Sequence, residues 1–399
     1  MMSIAFGAPI DGCREWINPL REHNRVLAPE SGPPVANALT IPMGQYFGGK
    51  SVPMTGIAGV AVSPEHRGGG LAQQLMGEVL SELHAGGIAL STLFASTQSL
   101  YRKVGYEQAG IRANYKLDLR RLTPRRDAAA GHANPAAAAA PASPATHWRE
   151  LTESDHPAIV DCYRAFARRE NGLLDRGEYI WGRVRVFRDK EQTGFGLWSA
   201  DNTTLLAYVF LYQERGQYGH FTMSLQDLAF RDAPAGRELM KFLTSFSTTG
   251  TELSFAGGAT HPLLMLAELQ LAQQTSAEIW MTRIVHLQNA LTARGYAAAA
   301  TGQTLELAID VHDAVLPVNS GRWLLQVGGT GATCKKVDST STNVPTLGCS
   351  IGGLVPVYSG WQTARQAAAA GLVWGDDRAL AMADAVFASG GSSWCVDFF

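Results

Sequence analysis

The sequence predicts an α/β protein with mixed (α+β) sheets, built as two successive α/β folds followed by a smaller third α/β domain. Three observations carry that reading. Gly59-Val-Ala-Val-Ser-Pro-Glu-His-Arg-Gly-Gly-Gly-Leu-Ala72 alternates like a strand, then passes through three glycines into an amphipathic helix; after the Gly86-Gly87 stop, Ala89 to Ser96 reads as a second strand. From Trp148 to Ala297 a similar order of strands and helices recurs without that glycine turn. From Ala298 onward, strands give way to helices and the chain ends on Ser393-Trp-Cys-Val-Asp-Phe-Phe399, an apolar terminus that should be docked rather than frayed.

The first block, 1–121, opens on a helical stretch from Arg14 to His23, with no clear strand before it. Ala36 to Phe47 and Ser51 to Val62 read as strands joined by a Gly48-Gly49-Lys50 hairpin turn. The helix after the glycines places Leu71, Leu75, Val79 and Leu83 on one face, and a short helix from Ser99 to Lys103 and a strand from Glu107 to Leu119 follow. Residues 122–147, with Asn134-Pro135, five consecutive alanines and Pro141-Ala-Ser-Pro144, have the composition of a linker. Block 148–297 offers helices from His156 to Arg169, Arg176 to Phe187 and Ala235 to Phe246. Its strands are Gly194 to Ala200, Leu205 to Gln213, Gly219 to Phe230 and Glu252 to Ala256. Block 298–399 offers strands Thr304 to Val311 and Trp323 to Val327 and helices near Trp361 to Ala370 and Arg378 to Phe387.

Composition excludes several classes. With 46% hydrophobic and 17% charged residues the chain can bury sizeable cores, and its net charge of −2 does not favour nucleic acid or an anionic membrane. Arg120, Arg121, Arg125 and Arg126 read as a solvated domain edge. The five scattered cysteines form no C-x-x-C pair and the histidines no ligand spacing, which points to a reducing compartment and no metal site. No apolar run reaches the ~18 residues a bilayer crossing needs, and no signal segment opens the chain. The expectation is a cytoplasmic protein without membrane insertion.

The glycine turn carries the chemistry. A strand breaking into a helix presents free backbone N–H groups and the positive end of a helix dipole. Gly68, Gly69 and Gly70 would let a diphosphate approach the main chain. Arg67, Gly70 and Ala72 fit R-x-x-G-x-[GA], the acyl-CoA pyrophosphate signature of GCN5-type N-acetyltransferases. The second block lacks the motif and should be cofactor-free.

Together with Ser96-Thr-Gln-Ser-Leu-Tyr-Arg-Lys-Val-Gly-Tyr106, Ile279-Trp-Met-Thr-Arg-Ile-Val285, Ala290-Leu291 and the aromatic terminus, this turn resembles the enhanced intracellular survival (Eis) family of bacterial acetyltransferases over nearly the whole chain. The resemblance implies tandem GCN5-type folds, the second degenerate, and a sterol-carrier-protein-like α/β domain. It also implies a homohexamer that N-acetylates amines, notably aminoglycosides at several positions, with acetyl-CoA as co-substrate and no metal. Val60 and Val62 would meet the pantetheine arm. Arg67, Gly68, Gly70, Leu71 and Ala72 would surround the pyrophosphate, and Ser96 would lie beside the cofactor.

By the same resemblance Tyr101 is the general acid for the departing thiolate, protonated at neutral pH as its ordinary pKa near 10 requires. The α-carboxylate of Phe399 enters the active site as base, and Asp397 is a candidate for attracting a cationic substrate. Tyr106 reads as packing, and Gly59 as a position that leaves the amine pocket wide. Cys13 and Cys162 lie in no nucleophile motif, so transfer would be direct. The alternatives are a protein or peptide lysine Nε-acetyltransferase and, in a different class, a non-catalytic lipid-binding module.

Overall fold

The computed structural model describes every residue except 126–145, 188–189, 270, 301, 303, 330, 339–342 and 389–390. Most of the linker expected at 122–147 therefore lies outside the described residues. The chain divides into two compact units. One comprises Met1–Ile111, Arg168–Tyr179 and Glu278–Phe399, and the other Arg112–Ala167 and Ile180–Ala277.

The first unit begins with two short helices, α1 (Met2–Phe6) and α2 (Ile10–Ile17), and a 3₁₀ turn. An edge strand β1 (Asn24–Leu27) then pairs antiparallel with β2 (Ala36–Phe47). Thus a strand that the sequence reading passed over supplies the sheet edge after the opening helices, not before them. β2 and β3 (Lys50–Val62) form the expected long hairpin, with Gly48 and Gly49 at φ +58° and +83° making the tight turn. The helix α3 (Leu71–Ala85) crosses to β4 (Leu90–Phe94), parallel to β3. Then come α4 (Gln98–Arg102) and β5 (Glu107–Asp118), and β4 pairs on its far side with the strand Gln273–Ile284. α3 buries Leu75, Met76, Val79 and Leu80 in one cluster with Ile57, Leu93, Tyr106 and Met281; of the expected face, Leu75 and Val79 are buried while Leu71 and Leu83 are half-buried.

A buried ion pair ties this sheet to the C-terminal block. Arg283 Nη2 donates to both carboxylate oxygens of Asp313 at 2.7 Å, and Arg283 Nε donates to the Val104 carbonyl at 2.9 Å. Asp313 also accepts from the Val315 and Leu316 amides and from Asn319 Nδ2. A fully buried pair persists only when its remaining lone pairs and protons are matched in this way. Gly105, at φ +86°, has no room for a side chain because a Cβ there would lie 2.8 Å from Arg283 Nε. The C-terminal block is a five-stranded sheet centred on Leu305–His312, which pairs antiparallel with Gly321–Gly328 and parallel with Thr346–Ser350. Leu307, Ile309, Leu325, Val327, Leu347 and Val386 are buried in this block.

In the second unit the strands run in the order Arg112–Asp118 of β5, Gly250–Gly257, Phe221–Phe230, Leu205–Arg215, Thr193–Trp198 and His147–Glu150. The helices His156–Ala167 and Ala233–Thr244 pack on these strands. Only the pair Phe221–Phe230 and Gly250–Gly257 is parallel, as β3 and β4 are in the first unit. Among the described residues, no helix is long and apolar enough to cross a membrane.

Candidate active site

The site grows from a fork in the first unit's sheet. β3 and β4 pair only at Met54–Leu90, Thr55–Ser91 and Gly56–Thr92. Beyond Gly56, β3 stays zipped to β2 while β4 stays zipped to Gln273–Ile284 through Phe94, so the two strands diverge. Six residues of β3, Ile57 to Val62, then run with no β4 partner, leaving peptide groups free for an extended ligand arm. Opposite Ala38 the strand carries two residues, Gly59 and Val60, a bulge whose glycine sits at φ +57°. Asn37 Nδ2 holds the Gly59 carbonyl at 2.9 Å.

Gly59, read from the sequence as leaving the amine pocket wide, faces the opening helices. A Cβ there would meet Met2 Cε at 2.8 Å and Trp16 Cη2 at 3.3 Å, so the opening helices already fill that side. Glycine is required by the bulge geometry.

At the open end of the fork, Val60 and Val62 are half-buried against the α3 core. Ser63 and a 3₁₀ turn, Pro64–His66, lead into the glycines. Gly68 and Gly70 stand at φ +83° and +80°, and a Cβ at either would meet nothing within 4 Å. These glycines are therefore needed for backbone conformation, and the space before them is open. Gly70 caps α3 with no side-chain hydrogen bond, and no acidic residue occupies the first turn, where Leu71 and Ala72 begin the helix. The amides of that turn thus face outward unclaimed by side chains. Arg67 is exposed; its Nε donates to the Val62 carbonyl at 3.2 Å, and no carboxylate pairs with it among the described residues. This donor set fits an acyl-CoA pyrophosphate.

The second unit contrasts at the equivalent point. There only Arg231 and Asp232 separate strand from helix, and the Asp232 carboxylate accepts from the Ala235 amide at 2.8 Å. A fixed carboxylate already occupies the place an anion would take.

Tyr101 lies in α4, 6% exposed, in the same apolar cluster as Ile57 and Leu93 on either arm of the fork. Burial pushes its hydroxyl up to about 12. Its hydroxyl has no hydrogen-bond partner among the described residues. Tyr106 meets it edge-on at 5.8 Å and is a packing residue, fully buried, its hydroxyl 2.6 Å from Ser91 Oγ. Ser96 is exposed two residues past the end of β4.

The C-terminus is docked in this unit. Trp394 bridges in parallel to Ile111, its amide donates to the Asn171 carbonyl at 3.0 Å, and its indole N–H donates to Glu170 Oε2 at 3.1 Å. Burial raises the Glu170 carboxyl, and that indole hydrogen bond opposes the rise. Phe399 is 5% exposed and covers Gly56, where a Cβ would lie 2.7 Å from its ring. Its ring also packs on Phe94 at 5.9 Å, and Phe398 on Phe94 at 4.9 Å. The last residue of the chain therefore sits at the closed end of the fork, at the last paired rung.

Asp397, expected to attract a cationic substrate, is paired with Arg176. Its carboxylate takes two hydrogen bonds from Arg176, at 3.0 Å from Nε and 2.9 Å from Nη2, with the Arg176 side chain 1% exposed. Arg176 belongs to a segment, 168–179, that the sequence reading divided between two helices. Here it runs along β2: Leu174–Asp175 pairs with Gly44–Gln45, the Gly48 amide donates to Asn171 Oδ1, and the Tyr46 amide donates to the Leu173 carbonyl. Asn171-Gly172, with Gly172 at φ +96°, is the one local turn signal that could have marked it.

Replacing Arg67 by glutamine is expected to raise the KM for acetyl-CoA by about tenfold, the loss of one charge-assisted contact to phosphate, with kcat little changed. Initial rates against acetyl-CoA concentration check this; an unaltered KM would remove Arg67 from the site.

Comparison with known proteins agrees with this geometry. Residues 3–109 and 172–284 each match a family model described as an acetyltransferase (GNAT) domain, and residues 287–396 match a sterol carrier protein domain. An uncharacterized N-acetyltransferase of Streptomyces avermitilis is 26% identical over 370 residues, covering 88% of this chain and 82% of that protein. One from Streptomyces coelicolor is 26% identical, covering 85% and 78%. The crystal structure of a GCN5-related N-acetyltransferase from Anabaena variabilis superposes with a TM-score of 0.86 at 28% identity, covering 100% and 95% of the two chains. Eis1 from Mycobacterium abscessus shares the fold, with a TM-score of 0.74 at 21% identity over 94% and 90%. Two GNAT acetyltransferase domains followed by a sterol carrier protein domain make up this chain, and its chemistry is that of a GNAT-type N-acetyltransferase.

Proposed function

We propose that this chain is an Eis-type N-acetyltransferase that acetylates primary amines, aminoglycosides among them, at the fork of the first domain. The observation that carries this reading is the convergence on one fork of an open glycine turn, a buried tyrosine with an unengaged hydroxyl, and the chain's terminal residue. Acetyl-CoA would be held by Arg67 and the Gly68–Ala72 backbone at the phosphate end, with Val60, Val62 and Ser96 along the arm; bound there, it supplies the activated acyl group. The self-capped Asp232 helix supports a second domain that takes no cofactor.

A primary ammonium must lose a proton before it can attack a thioester. The Phe399 carboxylate accepts that proton, directly or through a water, and orients the amine. Tyr101 gives its hydroxyl proton to the departing sulfur. As the C–S bond breaks, the nitrogen releases its second proton to the tyrosinate through solvent, which restores Tyr101 and closes the proton balance with no covalent enzyme intermediate. The open glycine turn and Tyr101 speak against a lipid-binding module as the main role.

The test is to incubate the purified protein with acetyl-CoA and a panel of aminoglycosides and to count acetyl groups by mass spectrometry. Two or more on one drug support the Eis-type reading. Acetylation of lysine side chains in basic proteins, with none on the drugs, would move the assignment to a protein Nε-acetyltransferase.

A further inference from the structure

We propose that Arg176 is a positioning residue, which sets the terminal carboxylate through its ion pair with Asp397. This rests on the reading above of Phe399 as base, and it assigns Asp397 to the tail, not to the substrate. The geometry is that of a strap. Segment 168–179 is fastened to β2 by the Leu174–Asp175 rungs, by Gly48 onto Asn171 and by Gln45 Nε2 onto the Gly172 carbonyl at 2.8 Å. Its other edge holds the tail: the Asn171 carbonyl accepts from the Trp394 amide and from Ser393 Oγ, and Glu170 takes the Trp394 indole. Arg176 closes the strap at Asp397, two residues from the chain end.

Two residues of chain reach about 7 Å at most, so a fixed Asp397 confines the terminal carboxylate to a small volume. The Phe399 ring over Gly56 and Phe94 then fixes its direction. A planar guanidinium gripping both carboxylate oxygens resists rotation of Asp397 as well as its departure. Because this pair is buried, the Asp397 charge is balanced where it stands and offers little field to an approaching amine.

The experiment compares wild type, Asp397→Asn, Arg176→Gln, Arg176→Lys, a chain lacking only Phe399, and the combination of Asp397→Asn with that deletion. Loss of the clamp is expected to lower kcat by about 10- to 100-fold, the cost of misplacing a reacting group by about 1 Å, while both KM values stay within about threefold. Arg176→Lys should recover part of the loss seen with Arg176→Gln. In the chain lacking Phe399, Asp397→Asn should cost nothing further, since the group it positions is gone. Carboxypeptidase should release Phe399 from the full-length Asp397→Asn protein faster than from wild type, at matched melting temperature.

A raised amine KM with unchanged kcat would overturn the proposal and return Asp397 to the substrate. An equal fractional loss with and without Phe399, or unchanged carboxypeptidase release, would also overturn it, by making the pair a general fold contact. If deleting Phe399 leaves kcat at the wild-type value, the terminal-base reading itself fails and the positioning role goes with it. That pattern is distinct from a failure of the clamp alone.

Discussion

Tyr101→Phe is expected to lower kcat by about a hundredfold or more, the scale of a lost general acid, while the KM for acetyl-CoA and the melting temperature barely move. The physical case is the position of the hydroxyl. It has no hydrogen-bond partner among the described residues, so removing it breaks nothing inside the protein, and the edge-on contact of the ring with Tyr106 survives. Burial favours the neutral phenol and raises its pKa to about 12. The acid is therefore charged with its proton throughout the physiological range. The linkage has a definite sign: stabilisation from keeping the phenol neutral is complete below the unfolded value near 10 and is lost as pH climbs through the folded value. Wild-type kcat/KM should accordingly show no falling limb from Tyr101 below about 12. Rates for the phenylalanine variant across that range are the check, and unchanged turnover would remove Tyr101 from the mechanism.

The parts of this site that could be read from sequence are those whose constraint is local. The β2–β3 hairpin shows itself because its long strands flank Gly48-Gly49. The phosphate turn is legible because only glycine tolerates φ near +80° at Gly68 and Gly70, and because the helix behind them repeats leucine and valine every fourth residue. The docked tail is legible because a terminus holding Trp394 and Phe399 has no reason to remain in water, although Phe398 stays 40% exposed.

What could not be read is held by long-range partners. Arg176 and Asp397 meet across 221 residues, and neither carries a local pattern that names the other. Asp397 by itself looks like a solvated acid beside a cationic substrate, and nothing local points to its pair with Arg176. β1 is four residues with no alternation, and the strand Gln273–Ile284 begins with six exposed positions that carry no apolar signal. Gly59 is hard to read for another reason. A missing side chain suggests space, yet the space beside it is occupied by Met2 and Trp16.

The base makes the sharper prediction, because its identity depends on where the chain stops. Adding one glycine after Phe399 is expected to reduce kcat by about a hundredfold without altering acetyl-CoA binding. The extension leaves the Phe399 ring free to keep its seat on Gly56 and Phe94, and leaves Asp397 on Arg176. What changes is that a neutral amide replaces the carboxylate at the closed end of the fork, and the new carboxylate begins about 3.5 Å further along the chain. An amide cannot accept the ammonium proton, so the attacking amine must arrive already deprotonated. The variant's rate should therefore recover as pH rises toward the amine's own pKa, narrowing the gap to wild type; a purely structural lesion would keep the ratio constant. Melting temperature and acetyl-CoA titration establish that fold and cofactor site are intact. Full turnover after the extension would end the case for a terminal base and place the proton on solvent or on the substrate's own second amine.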